Sequence, residues 1–220
     1  MVIQHVRRFI DDLQENLENG RGLWFYGDVG TGKTSLAMLV ADRALKRGFS
    51  VAIYSIPRLF NELRGTYDDE SRESFLGLFG KLCSVDLLIL DDLGAERQTD
   101  WVLEQLYSIV NERWQNRRSI IVTSNIPTDK TSRITLRLGE EIDELHELGQ
   151  RQGRARELTS VIARMEALKK ELADLDRNPQ HDPFEMMREQ IGYRTISRLL
   201  EMCDDPIPIM GPDLRISSAG

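Results

Sequence analysis

Cysteine is scarce in this 220-residue chain: Cys83 and Cys203 stand far apart, outside any paired spacing, so neither a disulfide framework nor a thiolate zinc site is built into it. The three histidines, His5, His146 and His181, are equally scattered, which excludes a histidine metal cage. No apolar run reaches the length that crosses a bilayer and no leader-like start is present, so the expectation is a cytoplasmic chain with no membrane contact. A positive surplus is missing too. With 29 Lys+Arg against 36 Asp+Glu the net charge is -7, which is not the bulk charge of a protein that grips duplex DNA. A few arginines gathered on one surface still suffice to meet nucleic acid while the rest stays acidic. The hydrophobic fraction of 40% supports one full core with room for an insertion.

What the chain does contain is Gly27-Asp28-Val29-Gly30-Thr31-Gly32-Lys33-Thr34, which fits G-x-x-x-x-G-K-[ST]. In that pattern successive backbone N–H groups form a nest for phosphate oxygens, the lysine reaches the outer phosphates and the hydroxyl holds magnesium. Its context supports the chemistry. Leu23 to Tyr26 enters as a buried strand, and Ser35 to Arg47 leaves with helical periodicity, so the anion would face a helix N-terminus. Gly27 to Thr34, with Ser35 after them, are the nucleotide-binding candidates.

Ahead of this motif, Val2, Val6, Phe9, Ile10, Leu13 and Leu17 recur at helical spacing and predict one amphipathic helix, stopped at Asn19-Gly20. Behind it, Val51 to Tyr54 predicts a second strand. Pro57 opens a helix through Leu63, Gly65 to Asp69 reads as a loop, and Glu70 to Leu82 reads as a helix. Arg58, Arg64 and Tyr67 fall in this excursion; cations beside an aromatic suit a single nucleic-acid strand, or else form a solvated face. Val85 to Leu90 predicts a buried strand ending in Asp91-Asp92. There Asp91 would hold magnesium beside Thr34, and Asp92 would polarise an attacking water. Thr99 caps a helix running to about Asn116, and Ser119 to Thr123 is a further strand that stops at Asn125, where an amide would sit close to a terminal phosphate. Four strands with helices between them predict a parallel α/β sheet with right-handed crossovers.

These blocks resemble the DnaC/IstB family of AAA+ ATPases. The resemblance rests on Leu23 to Thr34, on Leu-Ile-Leu-Asp-Asp-Leu-Gly-Ala-Glu ending at Glu96, on Ile121-Val-Thr-Ser-Asn125, and on Ile191 to Cys203, which looks like the family's closing helix. It implies a P-loop NTPase with an AAA+ core, a five-stranded parallel sheet in the order 5-1-4-3-2 and little or no C-terminal lid. It also implies ATP with Mg2+ as cofactors. Asp91 and Asp92 fall on the Walker B pair, although other AAA+ proteins often carry Glu at the second position. Asn125 falls on sensor 1, Arg198 on the arginine finger that a neighbouring subunit inserts, with Arg194 as the runner-up, and Arg215 on a sensor 2 arginine. A finger offered in trans implies an ATP-dependent homo-oligomer.

The family's functions follow as expectations. The first is a DnaC-like replicative helicase loader that assembles on DNA, single-stranded favoured; the alternative is an IstB-like helper that assembles on duplex DNA for a transposase. A P-loop small-molecule kinase and a module that holds ATP without turning it over come after these. Loaders of the family usually carry an N-terminal helicase-holding domain, and here one short helix precedes the core. The expected organisation is residues 1–20 as an N-terminal helix packed on the core, 21–129 as the ATPase core, 130–183 as an inserted helical hairpin, 184–215 as a return to the core and 216–220 as a tail. Within the insertion Leu158, Val161, Met165, Leu168, Leu172 and Leu175 make a seven-residue repeat, and Leu138, Ile142, Leu145 and Leu148 a facing stripe. The hairpin is a spacer, a partner-binding element or a contact between copies, and Arg151, Arg154 and Arg156 at its tip are further nucleic-acid candidates.

Overall fold

The computed structural model describes residues 2–66, 74–94, 99–125, 130–149, 155–176, 184–211 and 213. It divides into two compact units, Met1–Ile126 with Met187–Gly220, and Pro127–Met186. The first unit is built on a five-stranded sheet of β1 (Leu23–Tyr26), β2 (Val51–Ser55), β3 (Leu87–Leu93), β4 (Ser119–Ser124) and β5 (Ile207–Pro208). The order is β2-β3-β4-β1-β5 and every pairing is parallel. This is the expected order 5-1-4-3-2 read from the other edge.

The central strands carry near-continuous apolar runs, residues 23–26 of β1, 87–90 of β3 and 120–122 of β4, because both faces of the sheet are covered there. Leu23, Phe25, Leu87, Ile89 and Ile121 share one face, where they meet Val6, Phe9, Leu13 and Leu17 of the N-terminal helices and Ala37, Val40, Ala41 and Ala44 of α3 (Lys33–Lys46). Alanine at three of those four α3 positions lets the helix axis approach the sheet closely. The alternate residues Trp24, Leu88, Leu90, Ile120 and Val122 are buried on the opposite face. The single N-terminal helix expected from periodicity is two, α1 (Val2–Asp11) and α2 (Leu13–Glu18). At the break the Asn16 amide donates to the Phe9 carbonyl at 3.0 Å, so the apolar stripe continues across a change of direction.

After β2 come α4 (Ile56–Gly65) and α5 (Phe75–Ser84). α4 runs to Gly65, past the expected stop at Leu63. α5 begins at Phe75, later than the expected Glu70, because the Ser74 hydroxyl accepts the Gly77 N–H at 3.1 Å and caps it there. α6 (Asp100–Gln115) begins as expected, with the Thr99 hydroxyl accepting the Val102 N–H at 3.3 Å. The closing helix expected over Ile191 to Cys203 begins at Tyr193 as α10 (Tyr193–Cys203), and Gly192, whose φ of +84° no β-carbon tolerates readily, separates it from α9 (Glu185–Ile191).

The second unit is a helical hairpin of α7 (Lys130–Gly149) and α8 (Ala155–Asp176). Val161 and Leu168 of the heptad seam are buried, as are Ile134 and Leu148 opposite, while Ile142 of the expected stripe is exposed. Arg164 ties the helices with ion pairs to Glu141 at 2.8 Å and Glu144 at 2.6 Å. Its hydrogen bond to Glu141 holds that carboxyl below its ordinary range. Among the described residues no helix is long and apolar enough to cross a membrane.

Candidate active site

The carboxyl ends of β1, β3 and β4 converge on one edge of the sheet, and the sequence candidates that lie there are joined by hydrogen bonds. The chain leaving β1 turns through Gly27, Gly30 and Gly32 with φ of +143°, +80° and +96°, a path that needs glycine and delivers Lys33 as the first residue of α3. The Thr31 hydroxyl donates to the Asp28 carbonyl at 2.8 Å and tightens the loop. Lys33 is 5% exposed, and its ammonium donates to the Gly27 carbonyl at 2.7 Å and to that of Asp28. β-carbons at Gly27 and Gly30 would run into the Ile209 carbonyl and the Asp213 carboxylate, so the stretch after β5 lies directly against the loop.

Thr34 and Asp91, distant in sequence, meet: the threonine hydroxyl donates to Asp91 Oδ1 at 2.9 Å. The same oxygen accepts the Thr123 hydroxyl at 2.6 Å, and Thr123 Oγ1 accepts the Asp92 N–H at 3.0 Å. The buried Thr123 therefore braces both acids of the pair, a role that sequence reasoning did not assign. Its only signal was a hydroxyl within the otherwise apolar run Ile120-Ile121-Val122.

A bulge sets the two carboxylates. Leu90 pairs with Val122 but Leu93 pairs with Ser124, so β3 carries one residue more than β4 over this stretch. Asp92 takes a left-handed φ of +59°. In a regular strand adjacent side chains point to opposite faces. Here the extra residue breaks that alternation. Asp91 reaches Thr34, and Asp92 accepts a hydrogen bond from the Asn125 amide at 3.4 Å.

The residues fit a magnesium nucleotide. A threonine hydroxyl against a carboxylate is a hard oxygen pair, suited to Mg2+ that takes its remaining ligands from phosphate and water. Val29 and Ser35 are exposed at the loop's rim.

Arg198 is not at this edge. It projects from α10 onto α6, where its guanidinium stacks on Trp114 with 3.6 Å to the ring centroid, pairs with Glu201 at 2.9 Å and donates through Nε to Asn111 at 3.4 Å. Arg194, one turn earlier, stacks on Tyr107 at 5.1 Å. Among the described nucleic-acid candidates, Arg58 and Arg64 do not share one face of α4. Arg58 pairs with Glu62 at 2.7 Å while Arg64 lies over Trp101 at 5.1 Å; six residues apart on α4, they point about 120° apart. Tyr67, Arg215, Arg151 and Arg154 lie outside the described residues, and Arg156 is exposed on α8. Burial disfavours both thiolates, pushing Cys83 up to about 11 and raising Cys203 further.

The family model described as IstB-like ATP binding protein matches residues 7–142. Protein YdaV of Escherichia coli K12 is 36% identical over 119 residues, 54% of this chain and 46% of its own length. The replicative helicase loader DnaI of Bacillus subtilis is 28% identical over 130 residues, 59% of this chain and 40% of its own. The chain thus spans about half the length of these relatives. Among solved structures, the DnaC helicase loader superposes with a TM-score of 0.60 at 22% identity, covering 95% of this chain and 88% of that one, which is a likeness of fold.

Proposed function

The chain belongs to the family of IstB-like ATP-binding proteins, and from that premise we propose that it is an AAA+ ATPase that acts on DNA as a replicative helicase loader. The observation that carries the ATPase reading is the continuous network Thr34–Asp91–Thr123–Asp92–Asn125 at the mouth of the P-loop. Gly27 to Ser35 cradle the phosphates, and Lys33 leaves the loop carbonyls to meet them. Thr34 and Asp91 would hold Mg2+, which would neutralise charge on the phosphate oxygens. Asp92 takes a proton from water as that water attacks the γ-phosphorus. The bond to the bridging oxygen breaks, and ADP and phosphate leave. Asn125 orients the water or the terminal phosphate, and Arg215 contacts the nucleotide from the segment after β5.

Arg198 completes the pocket of a neighbouring copy. Within its own chain it is held between α6 and α10, away from the P-loop edge of the sheet. ATP thereby favours a homo-oligomer, and hydrolysis releases it. For single-stranded DNA, Arg58 and Arg64 supply two separate cationic contacts on different faces of α4, with Tyr67 as the aromatic candidate, and a replicative helicase is the partner. Work on DNA of this kind places the protein in the cytoplasm. Since the matched family is itself IstB-like, one second reading stands: a transposition helper that assembles on duplex DNA.

ATP turnover measured against protein concentration, with no DNA, single-stranded DNA or duplex DNA, tests these readings together. Turnover per subunit should rise with concentration and with single-stranded DNA, and Arg198→Ala should abolish the concentration dependence. Stimulation by duplex alone selects the transposition helper, and a rate per subunit independent of concentration removes the finger in trans.

A further inference from the structure

Arg198 is gripped by side chains that the proposed reaction leaves without a task. Trp114 covers one face of the guanidinium at 3.6 Å. Glu201 Oε1 accepts from Nη1 at 2.9 Å, while Glu201 Oε2 accepts the indole N–H of Trp114 at 2.9 Å. Asn111 Oδ1 accepts from Nε at 3.4 Å and also takes the Tyr107 hydroxyl at 3.5 Å. Arg198, Trp114 and Glu201 thus close a ring between α10 and α6. The plane and the rotation of the guanidinium are both set. Nη2 makes no hydrogen bond among the described residues, and the side chain is 28% exposed.

This clasp is ill suited to holding the fold. Its ion pair is exposed, and exposed pairs stabilise little. α6 and α10 each have their own buried contacts, through Leu106, Ile109 and Val110 on one helix and Ile196, Leu199 and Met202 on the other. What the clasp does well is remove the rotamer freedom of a long side chain while leaving one nitrogen edge presented. An arginine ordered before it meets a phosphate loses less on contact. Arg194 also lies on an α6 aromatic, but no recorded hydrogen bond fixes its plane.

We propose that Trp114 and Glu201 are positioning residues that preset Arg198 for the ATP-loaded pocket of a second copy of this chain, with Nη2 as the edge that reaches the terminal phosphate. The proposal rests on the reading of Arg198 as a finger acting in trans. Trp114 and Glu201 touch no nucleotide themselves. Their effect therefore falls on turnover at saturating ATP and not on ATP affinity.

The test uses the full chain at concentrations where the parent's turnover per subunit has reached its plateau. Trp114→Leu keeps apolar bulk but has neither π-face nor N–H; its kcat should fall about tenfold with KM for ATP within about twofold, and Trp114→Phe should recover most of the loss. The decisive arm mixes subunits. Lys33→Ala subunits bind no nucleotide but carry an intact clasp, so adding them to Trp114→Leu should restore turnover above either variant alone. Unchanged kcat in Trp114→Leu overturns the proposal, and so does a loss that mixing fails to restore, because the defect would then lie in the pocket or the fold. If Trp114→Leu does not fold, Glu201→Gln, at an exposed carboxylate, carries the same kcat and mixing expectations. Arg198→Ala run alongside separates the two levels: parental turnover in that variant removes the finger reading itself, whereas a dead Arg198→Ala beside an unaffected Trp114→Leu removes only the positioning.

Discussion

Two buried cations sit on carbonyl oxygens at opposite ends of the same sheet. At the carboxyl ends Lys33 donates to Gly27 and Asp28, two carbonyls of a loop whose shape suits phosphate. At the amino ends Arg113, with no measurable exposure, donates to the carbonyls of Leu82 at 2.6 Å, Val85 at 3.0 Å, Asp86 at 3.3 Å and Ser119. Burial lowers Arg113 to about 9, so it stays charged at neutral pH. One cation closes the end of α5 and the starts of β3 and β4 without any ligand. The other occupies positions that a ligand's phosphates compete for. A buried charge is thus structural where carbonyls of the fold take up both terminal nitrogens, as at Arg113, and functional where its acceptors belong to a loop built for something else.

The contrast breaks if the two ends answer alike to substitution. Lys33→Ala should show the largest effect, a loss of ATP turnover of about a thousandfold with unfolding free energy within about 1 kcal/mol of the parent, read by ATPase assay and urea titration. Arg113→Met should reverse the pattern. Four carbonyls lose their donor, so urea titration should register about 3 kcal/mol of lost stability, while the folded fraction at low temperature still turns over ATP.

Within the functional end, Thr123→Val keeps the shape but unties both acids; turnover should fall about thirtyfold with ATP affinity retained, separating the brace from the phosphate cradle. The smallest effect belongs to the amino end. Burial alone would raise the Asp86 carboxyl, but the Ser50 hydroxyl and N–H and the Arg118 guanidinium override it and hold it below its ordinary 3.8. Its contribution is present above that value and is lost as pH falls through the lowered one. Asp86→Asn should therefore flatten the acid limb of a stability profile below about pH 4, by under about 1 kcal/mol since the pair is partly exposed.

The sequence made the loop and the strand positions of the core legible because both are written in contiguous residues: glycines at fixed spacing, apolar runs of strand length, a hydroxyl cap before α6; the strand order came only from the family resemblance. Pairings across the sheet were not. Nothing near Thr123 announces that it will meet Asp91, since that contact exists only once β3 and β4 lie side by side. Arg113 resembled any basic residue near the end of an amphipathic helix, and only packing turned it inward. The stacking of Arg198 on Trp114 likewise joins helices far apart in the chain, so the family resemblance marked the arginine but not what holds it. The break in the N-terminal helix escaped for the opposite reason: the apolar stripe survives it.

The bulge in β3 bears on the chemistry of the second acid. A left-handed backbone admits aspartate, whose short side chain makes local hydrogen bonds, but costs a longer side chain about 1 kcal/mol or more. Glutamate would therefore meet an unfavourable backbone at residue 92. Straightening the strand to admit it would swing the amide N–H away from Thr123 and return the two carboxylates to opposite faces. The length of this acid and the handedness of the chain beneath it are a single choice, and neither can change alone.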